Sequence, residues 1–171
     1  MVDLGSWVTG FTDGEGCFYA EVTSTLKTTT AGREVSCCNL YVYFSIALRA
    51  DDRPILEEIR DYFGCGTVTG KKSAATCPSM ARYGLRPSPQ ACFSVKRATD
   101  IRDFIIPHFE KYPLRTKKAR DFDHWKKIIA FYFDELAGTK GWATHKPKQL
   151  AMLQSMCGTL KAQRKFAVVG G

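Results

Sequence analysis

The stretch TDGEGCFYAEVTST changes its period abruptly at Gly14-Glu15-Gly16. Before it, Leu4, Trp7, Val8 and Phe11 recur at helical spacing and predict a short helix over residues 3 to 13. After it, Phe18, Ala20 and Val22 alternate with Tyr19, Glu21 and Thr23, as in a strand with one buried and one wet face. A helix that runs straight into a long amphipathic strand commits the chain to a mixed architecture. The strand's apolar face has to be covered by helices or by a second sheet. Glu15 sits at the switch point, where a helix C-terminus favours cations over carboxylates. A carboxylate in that position calls for a positive partner.

The alternation resumes in CNLYVYFSIAL, with Leu40, Val42, Phe44 and Ile46 on one face and Asn39, Tyr41, Tyr43 and Ser45 on the other. TLKTTTAGREVS between the two runs reads as strand ends and a turn. DDRPILEEIRDYFG predicts a helix, capped by Asp51 or Asp52, with Pro54 in its first turn and Gly64 as its stop. GTVTGKK and ACFSVKR read as two more strands, separated by the proline-containing SAATCPSMARYGLRPSPQ, a long loop or irregular hairpin. Residues 99 to 111, 116 to 136 and 148 to 162 carry helical spacing, and GTKGWATHKPK reads as a loop. The order helix, strand, strand, helix, strand, strand, helices predicts an α+β domain over residues 1 to 171. In it, two hairpins form a four-stranded antiparallel sheet with helices on one face.

The other face is left to solvent or to a partner. Its residues come from all four strands. Tyr19, Glu21, Thr23 and Lys27 lie on the first, and Asn39, Tyr41, Tyr43 and Ser45 on the second. Thr67, Thr69, Lys71 and Lys72 follow on the third, and Arg82 and Lys96 flank the fourth. Such side chains hydrogen-bond base edges and phosphates, and they equally suit a wet sheet. The formal net charge of +8 fits an anionic polymer as partner and also a merely basic surface. No apolar run approaches the ~20 residues that span a bilayer, and MVDLGSWVTGF has no basic n-region. An intracellular protein, without membrane attachment, is expected. The 7 cysteines are odd in number and none is spaced C-x-x-C, which argues against a zinc site or a disulfide framework.

VTGFTDGEG, Val8 to Gly16, resembles the signature of the LAGLIDADG homing endonucleases. YFSIALRADDRPILEEIRDYFGCG, YPLRTKKARDFDHWKKII and KPKQL resemble later blocks of that family in the same order, so the likeness covers most of residues 4 to 162. The resemblance implies an α-β-β-α-β-β-α fold whose curved sheet lies in the DNA major groove. A strand of about 12 residues spans roughly 40 Å, or about 10–12 base pairs. One copy of the signature implies a homodimer on a near-palindromic target, with Trp7, Gly10 and Phe11 at the interface. It implies that Glu15 is catalytic and holds Mg²⁺ with the Gly14 carbonyl. Mn²⁺ is expected to substitute for Mg²⁺, and Ca²⁺ to support binding without cleavage. A basic group beside the scissile phosphate is implied too, from Arg115, Lys117 or Lys118. Family members often carry a Gln at the end of the second strand, where this chain has Leu48 followed by Arg49. The activity implied is Mg²⁺-dependent cleavage of both strands of double-stranded DNA. A maturase acting on its own intron RNA and a non-cleaving DNA-binding protein share the fold. The compartment is that of the encoding intron: cytoplasm, nucleoid or organelle.

Overall fold

Asp3 starts the first helix. Its carboxylate accepts hydrogen bonds from the Ser6 amide (3.1 Å) and the Ser6 hydroxyl (2.9 Å), which ties down the open N-terminal turn. In the computed structural model, which describes residues 3–28, 30, 32–71 and 89–164, α1 spans Leu4–Glu15 and passes directly into β1, Gly16–Thr28. The helix runs two residues past the sequence expectation, so Glu15 is its last residue. β2 covers Glu34–Arg49, so most of TLKTTTAGREVS extends the two long strands and only a short connection remains. A 3-10 turn, Ala50–Asp52, leads into α2, Arg53–Phe63. Gly64 ends α2 in the left-handed region (φ 65°), a conformation that favours glycine. The expected Asp cap is not made. Asp52 occupies the cap position without a side-chain hydrogen bond, and Asp51 pairs with Arg49 at 2.9 Å.

β3 (Thr67–Lys71) and β4 (Gln90–Val95) complete one sheet in the order β1-β2-β4-β3. Of the loop expected at residues 73–90, residues 73–88, with Cys77 and Arg82, lie outside the described residues, as does Lys72, and Gln90 already begins β4. α3 consists of three consecutive pieces: Ala98–Asp100, a π turn at Ile101–Ile105, and Ile106–Lys111. Pro107 explains the widening. It has no N–H, and at ordinary α spacing its ring would strike the Asp103 carbonyl, so the Ile106 amide reaches back to the Ile101 carbonyl. α4 is Lys118–Phe131, extended by a second π turn at Tyr132–Leu136. α5 (Trp142–His145) interrupts the segment read as a loop. The Trp142 side chain is buried there and donates its indole N–H to the Thr139 carbonyl at 2.8 Å. α6, Pro147–Arg164, is the last helix.

The chain divides into two compact units. One comprises Met1–Cys17 and Tyr43–Leu114, the other Phe18–Val42 and Arg115–Gly171. In the first, Phe44 packs its ring edge-on against Phe63, Phe93 and Phe109 at 5.6–6.2 Å. Leu56, Ile59, Ile101 and Ile105 close this core with no exposed surface. In the second, Phe18 of β1 meets Phe122 and Trp125 of α4 at 5.4 and 5.1 Å. The Trp125 indole donates to the Tyr19 carbonyl at 2.9 Å, which satisfies a backbone group of an edge strand. Phe18, Ala20, Val42, Phe44 and Ile46 are all buried, as the period-2 pattern requires.

Candidate nucleic-acid interface and active site

Glu15 is exposed at the C-terminal end of α1. Its position depends on Gly16, which is buried and turns the chain at once into extended backbone. A Cβ on Gly16 would lie 2.7 Å from the Thr12 carbonyl oxygen and would also strike the Thr12 methyl group. The Gly16 amide meanwhile donates to that same carbonyl. Only a glycine lets the strand leave the helix this closely.

α1 buries Gly5, Val8, Thr9 and Thr12 and leaves its opposite side open. Leu4 is 39% exposed there, Gly10 and Gly14 are exposed, and Trp7 and Phe11 are half-buried with ring centroids 5.4 Å apart. A Cβ added at Gly10 or Gly14 would meet nothing within 4 Å. The three residues expected at an interface therefore share a helix face that the first unit does not cover.

The buried side of α1 is held by a residue that sequence reading missed. His108 of α3 is buried. Its Nε2 lies 3.2 Å from the Thr9 hydroxyl and its Nδ1 3.0 Å from the Tyr62 hydroxyl. Thr9 donates its own proton to the Tyr112 carbonyl at 3.0 Å, so it accepts from His108. This fixes the tautomer: Nε2 carries the proton and Nδ1 accepts from Tyr62. Burial, the main cause, pushes the imidazole pKa down to about 4, with Asp3 opposing the shift and Lys111 adding to it. The sequence signal was faint: a histidine beside Phe109 on the apolar side of a predicted helix.

Arg115, Lys117 and Lys118 belong to the second unit, at the start of α4. Arg115 and Lys117 are exposed, Lys118 is half-buried, and the Lys118 amide donates to the Thr116 hydroxyl at 3.2 Å. Among the described residues, no group of three or more His, Cys, Asp or Glu side chains comes together to hold a metal ion. Burial raises the Cys65 and Cys157 thiols to about 11, which suits structural rather than nucleophilic cysteines. The described cysteines are all free.

The strand register sets out the polar sheet face of the first unit in rows. Ser45 pairs with Ser94 and Ser94 with Thr67, while Ala47 pairs with Cys92 and Cys92 with Thr69. Gln90 stands between Arg49 and Lys71. Thr67 and Thr69 are exposed, and so is Lys96 just past β4. Cys92 and Ser94 of this row are buried, whereas Gln90 at the start of β4 is exposed. Leu48 shares the parity of Phe44 and Ile46 and pairs with Ala91 on the inner face, while Arg49 has the outer parity. In the second unit Thr23, Lys27, Asn39 and Tyr41 are exposed, and Tyr19 and Glu21 are half-buried. Tyr19 and Tyr41 meet edge to face at 6.0 Å. Tyr43, in the first unit, and Ser45 are half-buried.

A four-stranded antiparallel sheet with helices on its apolar face defines the class: this is the fold of the homing endonucleases of known structure. The homing endonuclease I-TnaI matches 95% of this chain and 97% of its own at a TM-score of 0.67 and 23% identity. I-SmaMI, crystallised on an uncleaved DNA target in the presence of calcium ions, matches 91% of this chain and 44% of its own at a TM-score of 0.63 and 25% identity. The model of the LAGLIDADG endonuclease family matches residues 8–129, and the chain belongs to that family. Probable intron-encoded endonuclease 2 of Neurospora crassa is 31% identical over 146 residues, which are 82% of this chain and 28% of the relative. The chain spans about a quarter of the length of the curated relatives it matches.

Proposed function

We propose that this chain is a site-specific DNA endonuclease module in which Glu15 is the essential carboxylate. The reading rests on one observation: α1 ends in an exposed acid, placed by the tight Gly16 turn, on a helix whose other exposed side is uncovered. The donors there are hard oxygens, the Glu15 carboxylate and the Gly14 carbonyl, which suit Mg²⁺ or Ca²⁺ better than a soft-ligand metal. These two groups hold the cation, and a second copy of α1 packed on Leu4, Trp7, Gly10 and Phe11 brings a second carboxylate. When bound, the cation supplies Lewis-acid stabilisation at the scissile phosphate. Arg115, Lys117 and Lys118 give the second unit basic groups able to bind a phosphate. The polar sheet face reads bases in the major groove, and the net charge of +8 favours the phosphate backbone.

The test is a nicking assay on a duplex library with Mg²⁺ or Ca²⁺, using wild type and Glu15→Gln. Wild type cuts with Mg²⁺ and only binds with Ca²⁺, while the variant binds in both and cuts in neither. Retained cutting by Glu15→Gln removes Glu15 from the chemistry. Binding without any cutting by wild type favours the non-cleaving reading, and binding confined to intron RNA favours a maturase.

A further inference from the structure

The C-terminal end of α6 reaches β1 at its polar face. Lys161 Nζ stands 3.8 Å from Glu21 Oε1, and the Arg164 guanidinium lies 5.6 Å from the centre of the Tyr19 ring. Tyr19 donates its hydroxyl proton to Glu21 Oε2 at 2.6 Å. Tyr19 and Glu21 project on the side of β1 opposite the buried Phe18 and Ala20. We propose that these four residues form one base-reading cluster, in which Glu21 selects a cytosine and Lys161 and Arg164 of the last helix bind the flanking phosphates. The inference rests on the proposed use of this sheet face for DNA.

The chemistry follows from the donors and acceptors. A carboxylate only accepts hydrogen bonds. Among base edges in the major groove, guanine offers two acceptors there and thymine offers O4, so both repel it. Adenine presents an amine beside the N7 acceptor, whereas cytosine presents its N4 amine without that neighbour. The short bond from Tyr19 fixes Oε2 of Glu21, and Oε1, beside Lys161, becomes available to the cytosine amine when the lysine turns to a phosphate. An unaccompanied carboxylate would also repel the phosphates on either side, and the two cations offset that charge. The Lys161–Glu21 pair is open to water, with side chains 69% and 44% exposed. Exposed pairs of this kind add little to stability, so the lysine is not explained as a strut for the fold. Its side chain can turn to a phosphate at small cost. Arg164, whose guanidinium lies over the same ring, has N–H donors for the same purpose.

The test starts from a target selected by the full chain out of a randomised duplex library. Binding of single-position variants of that target is then measured by fluorescence anisotropy at several salt concentrations. Wild type prefers cytosine at one position per half-site by roughly fivefold or more. Glu21→Gln loses that preference. Lys161→Ala and Arg164→Ala keep it, and each lowers the slope of log affinity against log salt by about 0.9. Circular-dichroism melts establish that all variants are folded. Unchanged base preference in Glu21→Gln, or unchanged salt slopes in both alanine variants, overturns the cluster. Asn39→Ala serves as the control. If it alters preference elsewhere in the site while the cluster variants do not, only this inference falls. If it too leaves every preference intact, the sheet does not read DNA and the broader proposal falls with it.

Discussion

Lowering the pH should destabilise this protein through His108. The folded protein keeps the ring neutral down to about pH 4, whereas the unfolded chain takes up a proton below the ordinary 6.5. Between those values the unfolded state binds more protons, so stability rises with pH across the window and is lost as pH falls from 6.5 towards 4. At 1.36 kcal/mol per pH unit the full shift corresponds to about 3 kcal/mol, and about 2.5 kcal/mol of it is lost at pH 4.5. His108 is only 7% exposed, so water screens little of this. Around it stand Thr9, Tyr62 and Tyr112, with Asp3 favouring its protonation and Lys111 opposing it. Carboxylates such as Asp3 and Asp103, whose pKa values are lowered by hydrogen bonds, also lose their contribution as pH falls. The measurement is therefore a difference. Urea unfolding of wild type and His108→Phe is compared at pH 7.5 and 4.5. The variant is less stable at pH 7.5 by about 1–2 kcal/mol, because the Tyr62 and Thr9 hydroxyls lose a partner. Wild type then loses about 2.5 kcal/mol more than the variant on acidification, or roughly 5–10 °C in Tm for a chain of this size. Equal acid losses in the two proteins would refute a buried neutral histidine and the tautomer assigned to it.

Two further substitutions separate the local roles of the glycines in α1 and β1. Gly10→Leu should leave the monomer's fold intact, since a Cβ there meets nothing within 4 Å, and should abolish self-association. Sedimentation reads this as a change from about twice 19.1 kDa to 19.1 kDa, and a wild-type monomer that still cuts both strands counts against the dimer. Gly16→Ala should cost about 1–3 kcal/mol through its clash with the Thr12 carbonyl and lower cleavage by moving Glu15. A melt unchanged from wild type would show that the turn relaxes freely.

The local grammar of this chain was written in its sequence. Period-2 alternation assigned both faces of β1 and β2, because a strand places successive side chains on opposite sides whatever it packs against. The run of apolar spacing into Gly14-Glu15-Gly16 placed the end of α1 two residues early but picked out the acid at its junction with β1, and Gly64 marked the stop of α2. Tertiary structure decided the rest, since distant segments had to meet. His108 has a role only because α1, α2 and α3 bring Thr9, Tyr62 and Tyr112 around one ring. Ser94 is buried between its cross-strand neighbours Ser45 and Thr67, a pairing that no single strand specifies. Trp142 makes a helix of a segment that reads as a loop, because burying an indole outweighs the preference of its neighbours. Lys161 and Arg164 look like a solvated helix end until the fold sets them beside Glu21 and Tyr19, far away in sequence. Spacing along the chain determines which way a side chain points. What it meets there depends on packing between residues that the sequence keeps apart.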